Sequence, residues 1–126
     1  MSDQKISIDF SGDYGGQPSR FRVGRWIADT RTGELRDGED LERLEPKCME
    51  LLRLFVGQPG EVLSREHILA AVWPDVLVAD DALARSMFKL RRALGDDAKA
   101  ARYIENLPKR GYRLIATVQR VHPDDD

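Results

Sequence analysis

A segment in the second half of the chain, DALARSMFKLRRAL, constrains the fold more than any other, because its pattern is that of a helix with two different faces. Asp80 can cap its start and Gly95 can end it. At about 100° per residue, four apolar side chains fall within about 60° of one another: Leu83, Met87, Leu90 and Leu94. Three basic side chains lie together on the opposite side: Arg85, Lys89 and Arg92. Such a helix needs protein packed on one side and presents cations to solvent on the other.

Two shorter helices are predicted before this segment. Pro46 suits the first turn of one, since its missing N–H would be unpaired there anyway, and Gly57 ends that helix. Ser64 is a good N-cap for the next helix, REHILAAVW, which Pro74 stops. Apolar residues recur at helical spacing in both, so each is expected to bury one face.

Strands are predicted on either side of the three helices. The phrase FRVGRWIAD favours a strand interrupted by Gly24, and glycine turns at Gly33 and Gly38 separate it from a further short strand within Glu39–Leu44. After the helices, YIENL and YRLIA read as two strands joined by Pro108–Gly111. The expected order is an antiparallel sheet, three helices and a hairpin.

The length of 126 residues indicates one domain. We expect a loosely attached arm over residues 1–19, a folded domain over 20–118, and a polar tail or the start of a linker over 119–126. No apolar run approaches the roughly 18 residues that span a bilayer, and the first residues lack the pattern of a secretory signal. The single Cys48 fits a reducing compartment and is expected to be a buried structural thiol.

The net charge of −2 hides a segmental distribution, since residues 62–116 carry 10 Lys/Arg against 7 Asp/Glu while both flanking segments are acidic. No zinc-ligand spacing, phosphate-binding glycine loop or nucleophile with a base is present, so no enzyme, metal or cofactor is expected. The acidic pair Asp96-Asp97 is interpreted as solvated charge.

An α-helix fits the major groove of B-form DNA, where base edges display donors and acceptors. Arg85 and Lys89 can reach base edges from the long helix, and Arg92 can touch phosphate. Gly111 permits the positive φ of a tight hairpin, which projects Lys109 and Arg110 toward a flanking groove. A solvated basic face, or a protein-interaction module for an acidic partner, stays open as an alternative to DNA binding.

From about Phe21 to Val118 the chain resembles the OmpR/PhoB-type winged-helix DNA-binding domain, above all that of ToxR/CadC-like regulators. The resemblance rests on FRVGRW, LEPKCMELLRLFVGQPGEVLSREHILAAVW, FKLRRALGDD and YIENLPKRGYRLIA, in that order. It implies an α+β winged helix-turn-helix with an N-terminal antiparallel sheet, three helices and a C-terminal β-hairpin wing. It also implies sequence-specific binding of double-stranded DNA in transcription control.

The resemblance further implies roles for individual residues. The recognition helix would contribute Arg85, Ser86, Phe88, Lys89, Arg91 and Arg92. The wing would contribute Lys109 and Arg110. Trp73 and Arg113 would make further contacts with the DNA backbone. A loop with Pro74, Asp75, Val76 and Leu77 would contact RNA polymerase. Phe88 replaces a residue that is often polar, and two roles are open to it: touching a thymine methyl or packing locally.

Members of this family act in the cytoplasm, some as the cytoplasmic domain of a membrane-anchored regulator, and bind as two copies on direct-repeat half-sites. The resemblance therefore implies a second copy of the chain and RNA polymerase as partners besides DNA. It also implies that the signal input lies in a further region of a longer protein.

Overall fold

A computed structural model describes residues 19–75 and 80–121 of the chain. The elements, in chain order, are β1 (Arg20–Val23), β2 (Trp26–Asp29), β3 (Glu34–Asp37), β4 (Asp40–Arg43), α1 (Pro46–Gly57), β5 (Val62–Leu63), α2 (Arg65–Val72), α3 (Asp80–Leu94), β6 (Ile104–Leu107), β7 (Gly111–Leu114) and β8 (Val118–Arg120). The predicted fold class, an α+β winged helix-turn-helix, is confirmed.

The N-terminal sheet has the antiparallel order β4-β3-β2-β1-β8. The prediction of one strand interrupted at Gly24 is wrong, because the chain reverses there and Val23 pairs with Trp26 across a tight turn. Gly24 has a φ of 57°, and a Cβ on it would lie 2.5 Å from the Tyr103 ring. The glycine therefore permits both the turn and the close approach of the later chain.

Three helices form where the apolar patterns predicted them; α1 packs against α2 and α3, and α3 also contacts β4. Pro46 occupies the first turn of α1, and the Ser64 hydroxyl accepts a hydrogen bond from the His67 N–H at 3.0 Å at the start of α2. The apolar stripe of α3 is fully inside: Leu83, Met87, Leu90 and Leu94 are at most 3% exposed. Gly95, with a φ of 77°, ends α3 as predicted.

The wing is a three-stranded sheet of order β5-β7-β6, not a lone hairpin. The two-residue strand β5 is too short to show a periodicity, and it pairs with β7 through Leu63 and Tyr112. A Cβ on Gly111 would lie 2.0 Å from the Leu63 carbonyl oxygen. The glycine thus allows β7 to approach β5, a requirement that no local pattern reveals.

Several sequence predictions fall outside the described residues: the arm up to residue 18, Val76 and Leu77, the side chain of Asp80, and the tail from residue 122. The predicted extents of the arm and the tail therefore stay predictions, while strand β8 continues to Arg120, two residues past the predicted end of the folded domain. In the part of the chain that the structure describes, no helix combines the length and the apolar character needed to cross a membrane.

Candidate nucleic-acid interface

The side of α3 opposite its core stripe presents three exposed residues, which we call the outer face: Arg85, Phe88 and Arg92. At about 100° per residue these three fall within about 60° of one another, centred away from Leu83 and Leu94. Phe88 is 65% exposed. Among residues 19–75 and 81–121, neither Arg85 nor Arg92 forms an ion pair, so both guanidinium groups are available to a partner.

Lys89 lies at the edge of the outer face, on the side nearer to α1. Its Nζ donates to both carboxylate oxygens of Glu45, at 3.0 and 3.2 Å. Both side chains are about half exposed or more, and solvent-exposed ion pairs contribute little to stability. Glu45 therefore holds Lys89 through an exposed ion pair that contributes little to stability. Sequence reasoning missed Glu45, since its partner is 44 residues away.

Ser86 also lies on the α1 side of the helix, where it is half-buried. Its carbonyl oxygen accepts a weak hydrogen bond from the Cys48 Sγ at 3.6 Å. Burial raises the pKa of the Cys48 thiol, and the charge of Glu45 raises it further. The structure thus confirms a buried thiol and places Ser86 beside the outer face.

Arg91 is predicted from the sequence as a DNA contact, yet the structure turns it inward against the wing. Its side chain is 13% exposed, its Nη2 donates to the Ile104 carbonyl oxygen at 2.7 Å, and its Nε lies 3.7 Å from the Asp96 Oδ2. The helix periodicity had placed Arg91 next to the core stripe, in agreement with this position. Arg91 therefore connects α3 to β6 and is not on the outer face.

The interpretation of Asp96 as solvated charge is wrong, because its side chain is 0% exposed. Its two oxygens accept hydrogen bonds from three successive backbone N–H groups, those of Arg102, Tyr103 and Ile104, at 2.7 to 3.1 Å. We call Arg91 and Asp96, with the backbone they hold, the wing anchor. Asp97, the residue after Asp96, is exposed, as predicted.

The tip of the wing, Pro108–Arg110, is exposed and carries the two predicted cations. The Arg110 N–H donates to the Leu107 carbonyl oxygen at 2.9 Å, which closes the turn. Positive φ at the tip belongs to Lys109, at 67°, as well as to Gly111 at 134°. The sequence had assigned this conformation to the glycine alone, whereas Lys109 adopts it too and is held there by the flanking strands.

An open cleft of about 310 Å³ separates the wing tip from the start of α2. Its lining includes Ser64, Arg65, Asn106, Lys109 and Arg110. Farther down the wing, the Arg113 guanidinium pairs with Glu105 on the adjacent strand, with 3.0 Å between Nε and Oε1. Arg113 is thus paired inside the wing, whereas neither cation at the tip has an ion-pair partner among residues 19–75 and 81–121.

The remaining predicted residues follow α2. Trp73 is only 7% exposed and belongs to the core, and its backbone N–H donates to the Leu69 carbonyl oxygen. Pro74 and Asp75 are exposed. The structure therefore brings the outer face, Lys89 and Ser86 together on one helix, and leaves Arg91, Trp73 and Arg113 committed to contacts within the domain.

Residues 38–114 match the protein family described as "Transcriptional regulatory protein, C terminal". The Escherichia coli K12 transcriptional activator CadC is 37% identical over 99 residues, which is 77% of this chain and 19% of that protein. The cholera toxin transcriptional activator of Vibrio cholerae is 36% identical over 90 residues, 70% of this chain and 31% of that protein. The chain thus spans less than half the length of these relatives.

Solved structures share the fold. The DNA-binding domain of E. coli CadC superposes with a TM-score of 0.73 at 33% identity, covering 83% of this chain and 98% of that one. The Klebsiella pneumoniae RstA DNA-binding domain, solved in complex with the RstA box, has a TM-score of 0.65 at 18% identity, covering 76% of this chain and 96% of that one. At that identity the second likeness concerns the fold alone.

Proposed function

The chain belongs to the family of transcriptional regulatory protein C-terminal domains, the OmpR/PhoB type that includes the ToxR/CadC-like regulators, and from this premise we propose how it binds DNA. It is a transcription-regulator domain that binds double-stranded DNA sequence-specifically. The observation that carries the proposed mechanism is the outer face of α3: Arg85 and Arg92 are exposed and have no ion-pair partner among the described residues.

In this mechanism α3 lies in the major groove with its outer face toward the base edges. Arg85 reads a base edge, and Lys89 exchanges Glu45 for the DNA, either a base edge or a phosphate. Arg92 binds a phosphate, and Ser86 donates from the edge of the helix. The wing tip follows the flanking minor groove, where Lys109 and Arg110 neutralise phosphates and release counterions.

The experiment first selects a tight-binding duplex for the 126-residue chain from a random-sequence library. Affinities for the selected duplex and for a scrambled duplex are then measured by fluorescence anisotropy at several salt concentrations. Arg85→Ala/Lys89→Ala should reduce the preference for the selected duplex by about tenfold or more, since a good base contact is worth about 1–3 kcal/mol. Lys109→Ala/Arg110→Ala should weaken both duplexes equally and flatten the salt dependence by about one log–log unit for each phosphate that the wing no longer binds.

A matched control removes two exposed cations elsewhere, Lys99→Ala/Arg120→Ala. It changes the net charge by the same amount, so it measures the nonspecific electrostatic effect alone. If all three double variants bound the two duplexes alike, the proposed site would be wrong even though the protein binds DNA.

The proposal includes two protein partners. Two copies occupy direct-repeat half-sites, which predicts that a duplex with two half-sites binds two chains. The segment over residues 74–77, in which Pro74 and Asp75 are exposed, contacts RNA polymerase. Pro74→Ala/Asp75→Ala should then preserve duplex affinity and lower transcription from a template carrying the selected site.

The proposed domain extends over residues 20–118, and the last two residues of β8, Gln119 and Arg120, pair with β1 just beyond that boundary. An arm precedes this domain, a polar tail or linker follows it, and the domain acts on DNA in the cytoplasm. Limited proteolysis followed by mass spectrometry measures those boundaries. A stable fragment that ended well inside 20–118 would contradict them.

A further inference from the structure

Phe88 is the most exposed of the large hydrophobic side chains in the described part of the chain, at 65%. The other three that reach solvent, Leu41, Val62 and Ile115, are between 36% and 45% exposed. Local packing therefore does not account for Phe88, because most of its ring faces solvent in the folded domain. A ring presented in this way on a rigid helix is a candidate contact group for a binding partner.

The neighbours of Phe88 on the helix indicate what kind of partner meets it. Arg85 lies three residues before it and Arg92 four residues after, so each is one helical turn away on the same side. A purely apolar protein groove would bury these two cations without partners, at a high desolvation cost. A polyanion can pair with both arginines while a less polar part of it contacts the Phe88 ring. Duplex DNA has this arrangement, because its phosphates flank the base edges in the groove.

We infer that Phe88 contacts the 5-methyl group of a thymine in the major groove and so makes the domain select a T·A pair at that position. Among the four bases of DNA, only thymine presents a methyl group in this groove. Ala84, one turn before Phe88, is also exposed and small, which leaves room for a methyl group beside the ring. The inference rests on the proposed function, since it requires α3 to lie in the major groove.

The consequence is a division of roles on the outer face. The guanidinium of Arg85 suits the paired acceptors of guanine, whereas the ring of Phe88 has no hydrogen-bonding group and discriminates by shape and dehydration alone. Cytosine lacks the methyl group, and its exocyclic amine would lose water against the ring. The binding site should therefore combine a guanine and a thymine read by side chains one helical turn apart.

The test removes the methyl group from DNA without altering base pairing. In the duplex selected by the wild-type chain, each thymine in turn is replaced by deoxyuridine, and affinity is measured by fluorescence anisotropy. At one position the wild-type protein should bind about fourfold more weakly, the effect of removing one buried methyl group. Phe88→Ala should bind the thymine and deoxyuridine duplexes equally at that position.

A second arm puts the methyl group back on another base. The same position is changed to a C·G pair carrying either cytosine or 5-methylcytosine. The wild-type chain should prefer 5-methylcytosine by a similar factor, and Phe88→Ala should not. Arg85→Ala is the matched control, because it weakens binding from the same face and should retain the full methyl effect.

The outcomes are distinct. If no thymine methyl affects wild-type affinity, or if Phe88→Ala retains the effect, the inference is wrong while the proposed DNA binding stands. Loss of cooperative binding to a two-site duplex in Phe88→Ala, without any methyl effect, would assign the ring to a contact with a second copy and overturn the inference. If the wild-type chain selects no duplex at all, the proposed function fails and this inference fails with it.

Thermal unfolding checks that Phe88→Ala remains folded, as expected for so exposed a side chain.

Discussion

Two sides of one helix, the outer face of α3 and the flank that carries the wing anchor, use the same residue type for opposite purposes. Arg92 is exposed and has no ion-pair partner among the described residues. The adjacent Arg91 is 13% exposed, donates a hydrogen bond to the wing backbone and forms an ion pair with Asp96. A rotation of about 100° along the helix separates the two. A basic row in a sequence is therefore not uniformly a binding surface.

The carboxylates show the same contrast. Glu45 meets Lys89 at the edge of the outer face in solvent, where water and salt screen the pair. Asp96 meets three backbone N–H groups with its side chain wholly buried. The wing anchor thus stabilises the domain, while the outer face remains free to exchange partners. The following predictions test that distinction, from the largest expected effect to the smallest.

Asp96→Ala should lower the free energy of unfolding by about 3–5 kcal/mol, because it leaves three backbone N–H groups without their acceptor and removes the carboxylate that forms an ion pair with the Arg91 guanidinium. Urea unfolding followed by circular dichroism measures the loss. Asp97→Ala is the matched control and should cost about 1 kcal/mol or less, since Asp97 is exposed and accepts a single local hydrogen bond from the Lys99 N–H. Similar losses of unfolding free energy in both variants would mean that the buried Asp96 stabilises the domain no more than the exposed Asp97.

Arg91→Ala and Arg85→Ala should separate stability from binding. Arg91→Ala should cost about 1.5–3 kcal/mol of stability, the worth of a charged hydrogen bond, and leave the duplex affinity of the folded protein nearly unchanged. Arg85→Ala should leave stability within about 0.5 kcal/mol and weaken duplex binding by about tenfold or more. Urea unfolding and anisotropy titration on the same samples measure both quantities. A large loss of duplex affinity in folded Arg91→Ala would mean that Arg91 contacts DNA after all.

Glu45→Gln should tighten duplex binding by up to about fivefold at low salt, because Lys89 no longer has to leave an ion pair of about 0.2–1 kcal/mol. The measurement is an anisotropy titration over a salt series. Glu50→Gln is the control from α1, the helix that begins directly after Glu45: it removes an exposed pair with Lys47, 3.4 Å between Nζ and Oε1. Equal tightening in both variants would mean that only net charge matters.

Cys48, the buried α1 residue whose Sγ lies 3.6 Å from the Ser86 carbonyl oxygen of α3, should show the smallest effect. Because burial raises the pKa of its thiol, the folded state favours the protonated form. The resulting stability is fully present below the pKa of the unfolded thiol and is lost as the pH rises through the higher folded value, so a slight loss is expected only in alkaline buffer. Iodoacetamide should modify the native protein far more slowly than the urea-unfolded protein at the same pH. Equal rates would contradict the buried position.

Much of the fold could be predicted because it depends on local patterns. The apolar stripe of α3, the proline at the start of α1, the serine cap of α2 and the glycine that ends α3 each follow from a few neighbouring residues. The two short strands β5 and β8 escaped prediction, since each is defined by hydrogen bonds to a partner more than 40 residues away. The same holds for the turn at Gly24, where the decisive contact is with Tyr103.

The sequence by itself determined which side of α3 is apolar and where the C-terminal hairpin forms, because helical and strand periodicities are properties of neighbouring residues. The family, and with it the role of that hairpin as the wing, was indicated by the resemblance of the motifs in their order. Only the tertiary structure decided which charged side chains remain available for binding. Whether a guanidinium or carboxylate faces water or a backbone N–H depends on segments that meet after folding. That is why Arg91 and Asp96 became the wing anchor while Arg85, Phe88 and Arg92 remained exposed.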